Sequence, residues 1–286
     1  MDGLVQLLLL RDAPQEPASV THVEGRVVRI SIAPVKALAL VYPEEVDVGL
    51  AGVEGNRRFW LVDRDGRLVN DKTHPQLLRV RAGWDEATRQ LALTFPDREV
   101  VEGAVEPGEP VEATMYGEPH SSRAVPGPWQ DALSDYAGEP LTLLWSERGA
   151  VDRGVGGGAV TVVSRASLER LGREAGAAEP VDGRRFRMLF EIDGFGPHEE
   201  DEWIGGRLEI GEAVLALTGD VGRCVVTKTN PDTAEIDLDT LGTLAAYRPE
   251  GRTERLPFGV HGAVVQPGRV RIGDSVRPVV RDRVAT

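Results

Sequence analysis

Cysteine is almost absent from this chain of 286 residues, where Cys224 stands alone. One thiol cannot close an internal disulfide, so a reducing compartment is expected. It also excludes a four-cysteine iron–sulfur cluster or zinc knuckle built from this chain. Positive charge is in deficit as well, with 46 acidic against 33 basic residues and a net charge of -13 at pH 7. That balance argues against a nucleic-acid partner, whose phosphates need a positive field. A small anion is still possible if the basic residues gather in one pocket. No apolar run reaches the roughly 20 residues that a spanning helix needs, so no membrane segment is expected. Residues 4–10 form a short apolar stretch, and Asp2 precedes it where a signal peptide would be positive. Residues 1–22 therefore read as a tail or extension, and the address as cytoplasmic. The common catalytic signatures are missing too: there is no GxSxG elbow, P-loop, HExxH or EF-hand spacing.

What is present reads mostly as strands. "RVVRISI" alternates and would put Val28, Ile30 and Ile32 on one face. "RFWLVDRDGRLVN" predicts a hairpin turning at Asp65-Gly66. "LLRVRAGWDEATRQLALTF" predicts another, with Val80 and Ala82 opposite Leu91 and Leu93. Three helices are expected. One carries Trp129, Leu133 and Tyr136 and stops at Gly138; one is capped by Ser164 and stops at Gly176; a short one lies near "DLDTLGTLAAYR" before Pro249. "RLEIGEAV" and "RVRIGDSV" repeat one device, a glycine and an acid that let one strand turn or bulge into the next. The expected class is mainly β with a few helices (α+β). Two domains are expected, at 23–138 and 139–286.

Four stretches could carry chemistry. "GVGGGA" at 154–159 matches a dinucleotide expression but leads into a strand rather than a helix, so a nicotinamide site is not expected. Its backbone N–H groups could still form an anion nest, or the loop could be plain surface. Arg184, Arg185 and Arg187 precede an apolar strand, and guanidinium groups suit phosphate or carboxylate unless they are simply solvated. The acids around His198 in "PHEEDEW" read as a solvated loop. Cys224 would ordinarily be a small buried apolar group, yet Arg223 beside it would help hold a thiolate, which is a nucleophile or a soft metal ligand.

The longer pattern "GRCVVTKTNPDTAEIDLDTLGTLAAYR" resembles the signature of MOSC-domain proteins, closest to the branch of the mitochondrial amidoxime-reducing component and its bacterial relatives. "SIAPVKAL" and "GNRRFWLV" are similar to that family's N-terminal barrel. The pieces from "VSRASLERL" to "LPFGVHGAVVQPGRVRIGDSV" are similar to its MOSC domain. The resemblance implies an N-terminal β-barrel-like domain followed by a MOSC β-barrel. It implies molybdenum cofactor (Mo-molybdopterin) with Cys224 as metal ligand. Cofactor contacts would come from Lys36, Arg58, the loop Val155, Gly156 and Gly157, Arg187, Gly222, Arg223 and His261. It further implies two-electron reduction of small N-oxygenated substrates such as amidoximes, hydroxylamines and N-hydroxylated bases. Electrons would come from a separate redox partner of ferredoxin, flavodoxin or reductase type. A cofactor carrier, or a sulfur-transfer protein using a Cys224 persulfide, is the alternative. The chain departs from the pattern at Ala37, where relatives often carry Ser, at Met188-Leu189, where they often carry Pro-Asn, and at His261, where some carry Tyr.

Overall fold

The fold is described from a computed structural model, for residues 24–147, 149–151 and 159–279. Seven strands close a barrel. In order around it they are Gly25–Ile30, Phe190–Asp193, Val160–Ser164, Pro257–Gln266, Ala213–Gly222, Arg207–Ile210 and Ser275–Val279, which returns to the first. Only Val160–Ser164 and Phe190–Asp193 run parallel, with Val162 opposite Phe190, because a helix crosses between them. A second core lies between a five-stranded sheet, which includes Phe59–Val62 and Thr142–Trp145, and a three-stranded sheet at Arg81–Asp85, Gln90–Thr94 and Val100–Ala104. This matches the expected mainly-β class with a closed barrel.

The two halves exchange strands. Gly25–Ile30, from the start of the described chain, completes the C-terminal barrel against Phe190–Asp193 and Ser275–Val279. Thr142–Trp145 lies beyond residue 138, yet it pairs with Phe59–Val62 in the N-terminal sheet. The interval between two β units is therefore crossed more than once, which ties the halves together.

The three helices form where the caps place them. α1 (Pro128–Ala137) buries Trp129 and Leu133 and ends at Gly138, whose φ of 82° is the left-handed geometry that glycine tolerates. α2 (Arg165–Glu174) starts at Ser164, whose hydroxyl accepts the Ser167 N–H. α3 (Thr240–Tyr247) starts at Asp239, whose carboxylate accepts the Gly242 N–H.

Local registers correct three readings. A bulge between Val27 and Arg29 shifts the first strand, so Val27 and Ile30 enter the core and Val28 does not. In the hairpin, Ala82 does face Leu93, but Leu91 faces Trp84, because Val80 caps a 3-10 turn instead of extending the strand. The acid loop is not simply solvated. Glu200 is fully buried and accepts from the Ser164 N–H and the Ser167 hydroxyl, while Asp201 pairs with Arg248 at 2.6 Å. Burial pushes the Glu200 carboxyl up, and pushes His198 down to about 3. The repeated turns do join strands as expected. Gly211 and Gly273 both take positive φ, and the Gly211 N–H donates to the Ser275 carbonyl.

Candidate active site

Cys224 sits where the long strand Ala213–Gly222 leaves the barrel and becomes the 3-10 turn Val225–Lys228. It is exposed rather than buried. Its carbonyl is held by the Thr227 N–H at 3.2 Å and the Thr227 hydroxyl at 3.0 Å, and that hydroxyl meets Thr240 at 2.7 Å. The downstream motif braces this turn. Asn230 accepts from the N–H groups of Asp232 and Thr233, closing an Asx turn on itself. Arg184 takes Asp232 through two bonds of 2.8 and 2.6 Å, and Arg185 takes Asp237. These guanidinium bonds hold both carboxyls below the usual aspartate range.

Arg223 is equally committed. Its guanidinium donates to the Phe258 carbonyl at 2.9 Å, the Phe186 carbonyl at 3.0 Å and the Met188 sulfur at 2.7 Å. Its charge lies 5.3 Å from the centre of the Phe186 ring. Arg223 thus locks the approach to Cys224 onto two neighbouring segments.

Cys224 opens on a cavity of about 560 Å³ between the two β units. From the N-terminal unit the wall includes Lys36, Ala37, Arg57, Lys72, Tyr116 and His120, and from the barrel side it includes Thr161, Arg185, Arg187, Gly222 and Arg223. Six cationic side chains line it against two carboxylates, Asp71 and Glu118, in a protein of net charge -13. A walled cluster of one sign concentrates anions. Four non-glycine residues of the lining, Ala37, Arg57, Tyr116 and Arg187, have φ between 52° and 76°. This left-handed geometry is uncommon for L residues and gathers where binding over-determines the backbone. At the Tyr116-Gly117 turn it also has a local cause, since a two-residue hairpin with both φ positive matches strand twist. Tyr116 is carried to the mouth there, with the Lys36 and Lys72 ammonium groups 5.8 and 5.6 Å from its ring centre.

Of the residues anticipated from sequence, Lys36, Arg187, Gly222, Arg223 and Cys224 come together in this lining. Arg58 does not. Its guanidinium packs 4.9 Å from the Trp145 ring centre and donates to the Ser146 carbonyl, while its neighbour Arg57 lines the cavity and donates to the Arg187 carbonyl at 3.2 Å. The left-handed turn at Arg57 sends the two side chains to different places. His261 lies on Pro257–Gln266 opposite Thr161, with Nδ1 3.1 Å from the Thr218 hydroxyl, and is not part of the lining. Val155, Gly156 and Gly157 lie outside the described residues. Leu189 is buried in the barrel core, so no polar contact comes from that position. Sequence reading missed Arg57, Lys72, Tyr116 and His120, and singled out Arg185 only as a possible anion partner. Only the Tyr-Gly turn left a local signal, and nothing in it says what the turn faces.

Among the described residues no group of three or more His, Cys, Asp or Glu side chains is gathered to hold a metal. A metal here would arrive on a larger ligand and take one thiolate from the protein. The residues present fit such a ligand. An exposed sulfur opens on a cationic cavity, and the Nε of Arg185, a lining residue, is a buried donor with no partner. Among the described residues no helix is long and apolar enough to cross a membrane.

Comparison with known proteins gives this arrangement relatives. The mitochondrial amidoxime-reducing component 1 of Mus musculus is 35% identical over 122 residues, which are 40% of this chain and 35% of that protein's length. The protein of the same name from Xenopus laevis is 24% identical over an alignment of 290 residues, covering 90% of this chain and 83% of that one. Among solved structures, the YUAD protein of Bacillus subtilis is 11% identical with a TM-score of 0.41, covering 89% of this chain and 94% of that one. The family model described as the MOSC N-terminal beta barrel domain matches residues 24–136, and the model described as the MOSC domain matches residues 151–277. The half that carries Cys224 and the half that supplies Lys36 and Arg57 thus each match a named domain, and the chain belongs to the MOSC-domain family.

Proposed function

We propose that the protein binds molybdenum cofactor in the cavity between its β units and reduces small N-oxygenated compounds such as hydroxylamines and amidoximes. The observation that carries this reading is the exposed Cys224 thiol on a cationic cavity in an otherwise acidic molecule. The names of the relatives support it, since they are called amidoxime-reducing components. When bound, the cofactor supplies a two-electron couple and, at its far end, a phosphate.

The chain's own residues would do the rest. Cys224 offers a soft thiolate, the ligand type that suits a metal already held by sulfur. Lys36, Arg57 and Arg187 offer charge-assisted donors to phosphate and pterin oxygens. The glycine loop at 155–157 would add backbone donors. Arg58 and His261 would act through their neighbours. Arg223 lines the cavity and, through its bonds to the Phe258 and Phe186 carbonyls, positions Cys224. The overall reaction takes a hydroxylamine, two electrons and two protons to an amine and water. Tyr116, Glu118 and His120 line the cavity from the N-terminal unit, and His120 and Glu118 are groups that could exchange protons with a substrate there. The electrons would come from a separate redox protein.

The assay is reduction of benzamidoxime by purified protein with reduced methyl viologen as donor. Product formation is expected, and it should vanish in Cys224→Ser. Protein that holds stoichiometric molybdenum yet produces nothing with hydroxylamine or amidoxime substrates would overturn the reductase reading and favour a cofactor carrier.

A further inference from the structure

A second cleft, of about 530 Å³, lies beyond Arg187 and does not include Cys224. Its wall carries five arginines and a single carboxylate. Arg79 ends the 3-10 turn Pro75–Arg79, Arg81 opens the strand Arg81–Asp85, and Arg98 lies in the turn before Val100–Ala104. Arg184 and Arg187 reach it from the barrel side.

Many arginines elsewhere sit against carboxylates, as Arg123, Arg248 and Arg252 do at 2.6 Å, while single arginines such as Arg64 and Arg207 have no ion pair among the described residues. The cleft is different. Its one carboxylate, Asp232, is already taken by Arg184. Arg81 adds its field to Asp232 without a hydrogen bond. Arg79, Arg81 and Arg98 have no ion pair and no side-chain hydrogen bond among the described residues. Three like charges face one concavity in a protein of net charge -13, where acidic residues outnumber basic ones and could have paired them. Arg98 and Arg187 take left-handed φ of 73° and 52° for local reasons, Arg98 in the turn that closes on Phe95 and Arg187 as the cap of the 3-10 turn Gly183–Phe186.

We propose that this cleft binds a small ligand bearing two or more phosphate charges, a nucleoside diphosphate in chemical class. Guanidinium forks match phosphate oxygens two at a time, and three unneutralised forks call for more than one anionic charge. The volume lies within the range of ligand sites, roughly 300–1,000 Å³, and the shape is concave rather than a flat docking face. Leu40, Leu78, Phe95 and Pro96 supply an apolar edge beside the charges, suited to the organic part of such a ligand. The site rests on residues 79–98 and 184–187 and not on the cofactor reading.

The test is calorimetric titration of the full chain with ADP, pyrophosphate and inorganic phosphate at low salt. ADP and pyrophosphate should bind at least about tenfold tighter than phosphate. The double variant Arg81→Ala/Arg98→Ala should weaken ADP at least about tenfold. Both side chains are exposed, so the fold should survive, which a thermal melt checks. Arg255→Ala and Cys224→Ser, both outside the lining of this cleft, should leave ADP binding unchanged. Absence of binding at about 1 mM, or ADP binding equal in the double variant, overturns the proposal. So does ADP binding that is lost in Lys36→Ala but not in the double variant, since that places the anion in the Cys224 cavity. Binding of polyglutamate without binding of ADP overturns it in favour of an acidic protein partner.

Discussion

Arg223 donates to two backbone carbonyls and one thioether, and in doing so fixes the residue that follows it. Lysine keeps the charge but cannot reach three acceptors at once. Arg223→Lys should therefore leave carbonyls unsatisfied and lower unfolding free energy by about 2 kcal/mol, read from urea denaturation. The Cys224 thiol should also change its rate of reaction with a disulfide reagent in that variant. An unchanged midpoint and an unchanged rate together would refute the positioning role. Cys224 itself is exposed, so Cys224→Ser should cost no more than about 0.5 kcal/mol. At this scale the pattern from Arg223-Cys224 to Tyr247-Arg248 was legible because its residues brace one local turn. Arg57 was not legible. Which of two adjacent arginines turns inward depends on a left-handed φ at Arg57 that spacing does not encode.

Among the elements, the 3-10 turn Glu199–Trp203 follows a histidine held neutral. Burial first, then Arg248 and Arg170, push His198 down from 6.5 to about 3. Below pH 6.5 the unfolded chain takes a proton that the folded chain refuses, so stability falls as pH drops from 6.5 towards 3 and is level above. His198→Asn removes that proton. Its stability relative to wild type should rise steadily as pH falls through this window, measured by chemical denaturation at several pH values. A constant difference would contradict the assignment. α2 offers a second case. A Cβ on Gly172 would stand 2.6 Å from the Glu179 carbonyl oxygen. Alanine favours helix by about 1 kcal/mol, but backbone cannot yield as a flexible side chain does. Gly172→Ala should destabilise by roughly 1–3 kcal/mol, and a raised melting temperature would disprove the contact. Helices were legible because caps are local, as at Ser164 and Gly138. Strand faces were less so, because the bulge at Val28 and the cap at Val80 shift registers that alternation assumes regular.

In the whole molecule, neither β unit is made from one stretch of chain. The barrel needs Gly25–Ile30, and Thr142–Trp145 belongs with the N-terminal sheet. A fragment of residues 151–279 should fail to give a cooperative thermal transition by circular dichroism, and co-expression with residues 24–53 should restore one. A fragment that melts cooperatively alone would contradict the exchanged-strand account. The mainly-β class could be read from turn signals and alternation, but the exchange could not, since it pairs segments 80 or more residues apart. The same distance hid the cavity wall, which draws on Lys36, Tyr116 and Arg187 at once. The central claim is that this wall holds a metal-bearing cofactor on Cys224. Its most direct test is elemental analysis of protein freshly purified from a host that makes molybdenum cofactor. The account predicts near-stoichiometric molybdenum in the wild type and loss of most of it in folded Cys224→Ser; metal-free wild type, or equal molybdenum in both, would contradict it.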